Sequence, residues 1–160
     1  MRLLSVLGGL LLAVASAGVA IGDPGHGASD VRAYGEPGDP SKPSRVVNVT
    51  MRETEDGMAF IPDQFEVRQG EQVRFVLRNN GEMDHEIVIA TLEENLKHAE
   101  EMRKNPDMEH DDPNARRLTP RGTGEIVWRF SKAGEFDFSC LIPGHREAGM
   151  FGTIIVTPKK

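Results

Sequence analysis

Residues 133–156 read AGEFDFSCLIPGHREAGMFGTIIV, and their pattern decides the fold. Phe136, Phe138 and Cys140 alternate with Glu135, Asp137 and Ser139, the period-two pattern of a strand with one apolar face. Pro143-Gly144 then marks a tight turn that swings His145 back toward the strand ends. The alternation resumes with Met150, Gly152, Ile154 and Val156 on one face. Two strands are thus joined by a short loop, and Cys140, His145 and Met150 converge at one end of the pair.

The same period runs outward from this hairpin. Val47, Val49 and Met51 alternate with Asn48 and Thr50. Val73, Phe75 and Leu77 share one face, with Arg74 and Arg78 on the other. His85, Ile87 and Ile89 are in phase, as are Ile126, Trp128 and Phe130. Gln69-Gly70, Asn79-Asn80-Gly81 and Lys132-Ala133-Gly134 punctuate these runs. Short alternating strands with regular turns predict an all-β fold, an antiparallel sandwich. His85, Cys140 and Met150 each fall in phase with the large apolar residues, so all three are expected to point inward at one end of the core. One stretch departs from the β pattern. Leu92 to Lys104 (LEENLKHAEEMRK) is dense in helix formers, with Thr91 and Glu94 placed as a capping box and Asn105-Pro106 as a stop. Residues 105–122 read as a polar, Pro-containing loop, which makes an inserted helix and loop at about 91–122.

The chain begins Met1-Arg2 and runs apolar from Leu3 to Val19, with small residues at Ala15-Ser16-Ala17 and Gly18-Val19-Ala20. This reads as a signal peptide over 1–20, cleaved after Ala17 or Ala20. The alternative is an uncleaved anchor, since a bilayer takes ~20 apolar residues. Residues 21–44, rich in Gly, Pro, Asp and Ser, read as a flexible N-terminal arm, and 45–160 as one domain. The formal charge of −6 becomes −7 once Arg2 leaves with the signal. That acidity argues against a nucleic-acid partner and would favour a basic docking partner. The chain has a single Cys, so it forms no internal disulfide, and an exported lone thiol calls for protection. Burial is one way to protect it, and metal ligation is another.

One thiolate, two imidazoles and one thioether are the donors of a mononuclear type 1 copper site, a His₂Cys plane with a weak axial Met. Soft sulfur suits Cu(I) and imidazole suits both oxidation states, so this donor set serves the couple with little rearrangement. Met is a poor zinc ligand. No nucleophile elbow or orienting acid suggests a hydrolase. The chain has five His but no His-x-His pair, so nothing suggests an oxidase or reductase with catalytic copper, and no enzymatic activity is expected.

Val46 to Val156 resembles a cupredoxin of the plastocyanin/azurin superfamily, on FIPDQFEVRQGEQVRFVLRNNGEMDHEIVI (residues 60–89) and the 133–156 stretch. The resemblance implies a Greek-key β-sandwich with one type 1 copper held by His85, Cys140, His145 and Met150. It also implies that His145 provides the route by which electrons leave. Relatives often place Asn after the first His, where it braces the ligand loop; Glu86 stands there here. NLKHAEEMRKNPDMEHDDPNA (residues 95–115) resembles the acidic insertion of periplasmic cupredoxins linked to bacterial copper tolerance.

The expected function is therefore a periplasmic copper protein carrying single electrons between redox proteins, with no stable membrane insertion after signal cleavage. The alternative is a copper-tolerance protein that sequesters or handles periplasmic copper. His98, Met102, Met108 and His110, with Met83 and His26, offer a second, weaker copper site. The competing reading is that Met102 packs the helix and His98 is solvated. Oligomeric state has no signature in the sequence.

Overall fold

A computed structural model describes residues 32–105 and 112–160. The signal-peptide segment, the arm up to residue 31, and 106–111 with Met108 and His110 lie outside the described residues. So does His26.

Among the described residues, ten strands form two five-stranded sheets, with one helix on the outside. The strands are β1 (Glu36–Pro37), β2 (Arg45–Thr54), β3 (Gly57–Ile61), β4 (Gln64–Arg68), β5 (Gln72–Asn79), β6 (His85–Ala90), β7 (Ala115–Leu118), β8 (Thr123–Arg129), β9 (Gly134–Ser139) and β10 (Phe151–Thr157). The helix α1 spans Leu92–Lys104. One sheet runs β1-β8-β5-β2-β3 and the other β4-β10-β9-β6-β7. The chain is a two-sheet β-sandwich, as expected. Two pairings, β2 with β5 and β4 with β10, are parallel rather than antiparallel. Between β2 and β5 the chain passes through β3 and crosses to the other sheet as β4, so it re-enters the first sheet from the same end. Side-chain alternation carries no information about strand direction, which is why the sequence did not reveal it.

The inner faces meet in one core. Val49, Met51, Phe75, Leu77 and Trp128 from one sheet pack against Ile87, Ile89, Phe138 and Ile154 from the other. The alternation predicted this inward set. It did not predict that β6 is buried on both faces. The second face of β6 lies under α1, where Val88, Ala99, Met102, Ala115 and Leu141 form a separate cluster. The helix begins as expected. The Glu94 backbone N–H donates to Thr91 Oγ1 at 3.2 Å and the Thr91 N–H donates to Glu94 Oε2 at 3.1 Å.

Two expectations are corrected. Residues 105–122 are not all loop, because β7 pairs antiparallel with β6 along His85↔Leu118 to Val88↔Ala115. Its Arg116 and Arg117 are exposed and only Ala115 and Leu118 turn in, so this charged edge strand has little apolar signal. The flexible-arm reading fails for 32–44. Tyr34 is buried and stacks on Trp128 at 5.7 Å, and the Trp128 indole N–H donates to the Tyr34 carbonyl at 2.9 Å. β1 then extends the sheet beside β8. A Cβ at Gly35 would strike Arg129 and the Trp128 indole, so only glycine lets the chain pass there. One aromatic anchor outweighs the disorder that the composition suggests.

Tyr34→Ala is expected to lower the unfolding free energy by about 3 kcal/mol, the typical cost of deleting a buried aromatic. Urea denaturation would measure it; an unchanged midpoint would mean that the segment does not dock.

Candidate metal centre

The site forms where three strands end together. Cys140 follows β9 and Met150 precedes β10. Those strands pair in register from Phe151↔Ser139, and the Cys140 N–H donates to the Met150 carbonyl at 3.0 Å. The residues between must fold back on themselves. The His145 N–H donates to the Ile142 carbonyl at 3.0 Å, and the Met150 N–H to the His145 carbonyl at 3.1 Å. Gly144 at φ 90° and Gly149 at φ 96° supply the left-handed turns that this path needs. His85 arrives on β6, which pairs with β9 through Val88↔Ser139.

The structure brings three of the four predicted donors together. The ligating atoms of His85, Cys140 and His145 all lie within 4.8 Å of one another. His85 Nδ1 is 3.3 Å from His145 Nδ1, and Cys140 Sγ is 3.3 Å from the same atom. His85, Cys140 and Met150 are 0 % exposed and His145 is 4 % exposed. Met150 shares the inner core with Cys140, and its backbone is bonded to both Cys140 and His145. Two imidazoles and a thiol crowded in a dry site, each with a nitrogen or sulfur facing the others, suit a soft-to-borderline metal such as copper.

Burial bears on the protonation of Cys140 and His145. It pushes the Cys140 thiol up to about 12, against backbone N–H bonds from Glu86 and Ile142 that favour the thiolate. Burial also lowers His145 below the ordinary histidine range, with His85 adding to the effect. Glu53 is pulled up by burial, but backbone N–H groups, including those of Glu82 and Met83, together with His85, outweigh that and hold it low.

Four polar residues around the site were not singled out from the sequence for what they do. Glu86 braces the ligand loop. Its Oε1 accepts the Leu141 N–H at 3.0 Å, while its own N–H donates to Cys140 Sγ at 3.4 Å. Glu53, at the end of β2, has Oε1 3.0 Å from His85 Nε2. It lies in phase with Val47, Val49 and Met51, so a carboxylate on an inward phase was the available signal. Asp137 and Arg146 form a paired contact beside the ligand loop, at 2.9 and 3.0 Å. Asp137 Oδ1 also accepts from Asn95 of α1 at 2.6 Å and from Ser139 Oγ at 2.6 Å. Asp137 alternates away from the core, and nothing local in the sequence marks the helix that covers it.

Of the second-site residues, His98 and Met102 both lie on α1, one turn apart. Met102 is fully buried in the cluster beneath α1, Met83 is exposed on the loop before His85, and Met108 and His110 lie outside the description.

Comparison with known proteins points to a copper-binding family. The family model for copper binding proteins, plastocyanin/azurin family, matches residues 47–157. A protein of Rubrivivax gelatinosus named copper-resistant cuproprotein CopI is 52 % identical over 123 residues, 77 % of this chain and 73 % of that protein. A protein of the same name from Pseudomonas aeruginosa is 33 % identical over 178 residues, 93 % of this chain and 94 % of its own. Among solved structures, auracyanin B superposes with a TM-score of 0.62 at 26 % identity, covering 78 % of this chain and 97 % of it. The dithionite-reduced auracyanin of Roseiflexus castenholzii gives 0.60 at 23 % identity, covering 73 % and 100 %, a likeness of fold.

Two outcomes follow from this geometry. Cys140 starts protonated at pH 7, so copper loading should release its proton; the release per copper, read by calorimetry in buffers of different ionisation enthalpy, should fall by one in Cys140→Ser. Asp137→Ala should cost about 3 kcal/mol in chemical denaturation, because it strands the mostly buried Arg146 guanidinium.

Proposed function

The chain belongs to the plastocyanin/azurin family of copper-binding proteins, and on that premise we propose that it is a copper-resistance protein. It would withdraw copper into one mononuclear site, which His85, Cys140, His145 and Met150 would hold. One observation carries this reading: the buried His–Cys–His cluster lies in a chain that is 52 % identical over 123 residues to a relative named for copper resistance. Bound copper supplies a one-electron Cu(II)/Cu(I) couple. The chain's own residues hold the donors in place beforehand, exclude water from them, and give the sulfur two backbone N–H bonds. The proposed location is the periplasm, in keeping with the signal peptide read in the sequence. No helix among the described residues is long and apolar enough to cross a membrane.

A second reading, electron carriage between redox proteins, is favoured by His145. It is the more exposed of the two imidazoles and lies on the loop at the end of the sandwich. Both readings describe a binding and redox module rather than an enzyme.

One equivalent of Cu(II) should give an intense thiolate-to-copper visible band that Cys140→Ser lacks. Deleting the gene should make the host copper-sensitive, with growth restored by the wild type and not by Cys140→Ser. A band in the purified protein together with normal copper tolerance in the deletion strain would overturn resistance in favour of electron carriage.

A further inference from the structure

We propose that Glu53 is a positioning residue for the copper site: it fixes the His85 tautomer and, through its charge, favours Cu(II) over Cu(I). The proposal rests on the copper-site reading above and deepens it.

His85 is completely buried, and its two ring nitrogens face different partners. Nδ1 points at the cluster, 3.3 Å from His145 Nδ1. Nε2 points away, 3.0 Å from Glu53 Oε1. A carboxylate can only accept a hydrogen bond, so Nε2 must carry the proton and Nδ1 is left with a lone pair for the metal. The contact bridges the two sheets, since Glu53 ends β2 of one and His85 opens β6 of the other.

The carboxylate is itself held on its other sides. The Glu82 N–H donates to Oε2 at 3.0 Å and the Met83 N–H to Oε1 at 3.1 Å. The loop that brings these donors is pinned by the buried Asn79, whose Nδ2 donates to the Met83 carbonyl at 2.7 Å and whose Oδ1 accepts the Gly81 N–H at 2.9 Å. A Cβ at Gly81 would strike both Glu53 oxygens, so a side chain there would displace the carboxylate. The loop thus presents the carboxylate to His85 in one orientation. A fixed negative charge across the imidazole from the metal raises ligand basicity. It stabilises the more positive oxidation state. A protein that keeps copper as Cu(II) keeps it in the less thiophilic state.

The structural alternative is that Glu53 only ties down the 81–83 loop. Two readouts separate the roles. In the metal-free wild type, long-range ¹H–¹⁵N correlations should show His85 protonated at Nε2, and Glu53→Ala should show both tautomers. In the loaded protein, Glu53→Gln keeps an oxygen acceptor and removes the charge, giving up at most the Glu82 bond. Its Cu(II):Cu(I) affinity ratio should fall about tenfold, a rise in potential of about 59 mV for a one-electron couple. An Nδ1–H tautomer in the wild type, or a potential unchanged in Glu53→Gln, overturns the proposal. Absence of the thiolate-to-copper band in the wild type would instead sink the copper-site reading, and the tautomer would still decide the role of Glu53 in the metal-free protein. Circular dichroism of both variants guards against a misfolded result.

Discussion

The site depends on one hydrogen-bonded register, that of β9 against β10. Pairing Phe151 with Ser139 leaves Cys140 and Met150 facing each other across the end of the ladder, closed by the Cys140 N–H to Met150 carbonyl bond. Once that closure is made, residues 141–149 have little room and turn back over the sheet ends. A one-residue slip would put Cys140 on the helix side and Asp137 in the core, because alternate side chains of a strand face opposite ways. The apolar phase of Phe136 and Phe138 is what forbids the slip. The same packing that stabilises the sandwich therefore aims the thiol.

Polar groups on both sides of this register hold it in place. On the core side, Glu53 reaches His85; on the outer side, Glu86 holds the Leu141 N–H and Asp137 ties Arg146 to Asn95 of α1. Buried carboxylates are tolerable only when their lone pairs are occupied, and Glu86 and Asp137, both buried, each accept at least one hydrogen bond. The thiol and the two imidazoles are the unfinished part. They face one another without a full complement of donors, and burial holds the sulfur protonated. A cation placed among them would replace weak mutual contacts by bonds to each, so the free energy of binding is also free energy of folding for this end of the molecule.

Much of this was legible in the sequence, and the failures share a cause. Alternation placed His85, Cys140 and Met150 inward because each shares a phase with large apolar residues. The cap at Thr91 was legible because capping chemistry is local. What escaped notice was non-local. Strand direction leaves no mark on alternation. β7 is written mostly in arginine because it is an edge strand. Tyr34 docks because Trp128, far along the chain, offers a face to stack on. Asp137 read as a solvent-facing strand residue because its cover is a helix inserted forty residues earlier. Glu53 is the instructive case, since its inward phase was visible and only the partner was missing.

The inserted helix illustrates how tertiary packing narrows what a donor-rich sequence can do. His98 and Met102 share a helix face, which by itself suits a metal. Met102, however, fills the cluster between α1 and β6, against Val88, Ala115 and Leu141. Withdrawing a buried methionine to ligate an ion would open a cavity there, at a cost comparable to truncating it, about 2–5 kcal/mol. Asn95 on the same helix is tied to the Val88 carbonyl and to Asp137. Leu141, which follows the ligand Cys140, packs in that same cluster, and its N–H is held by Glu86. The insertion thus acts on the metal site from behind, through the loop that it packs against.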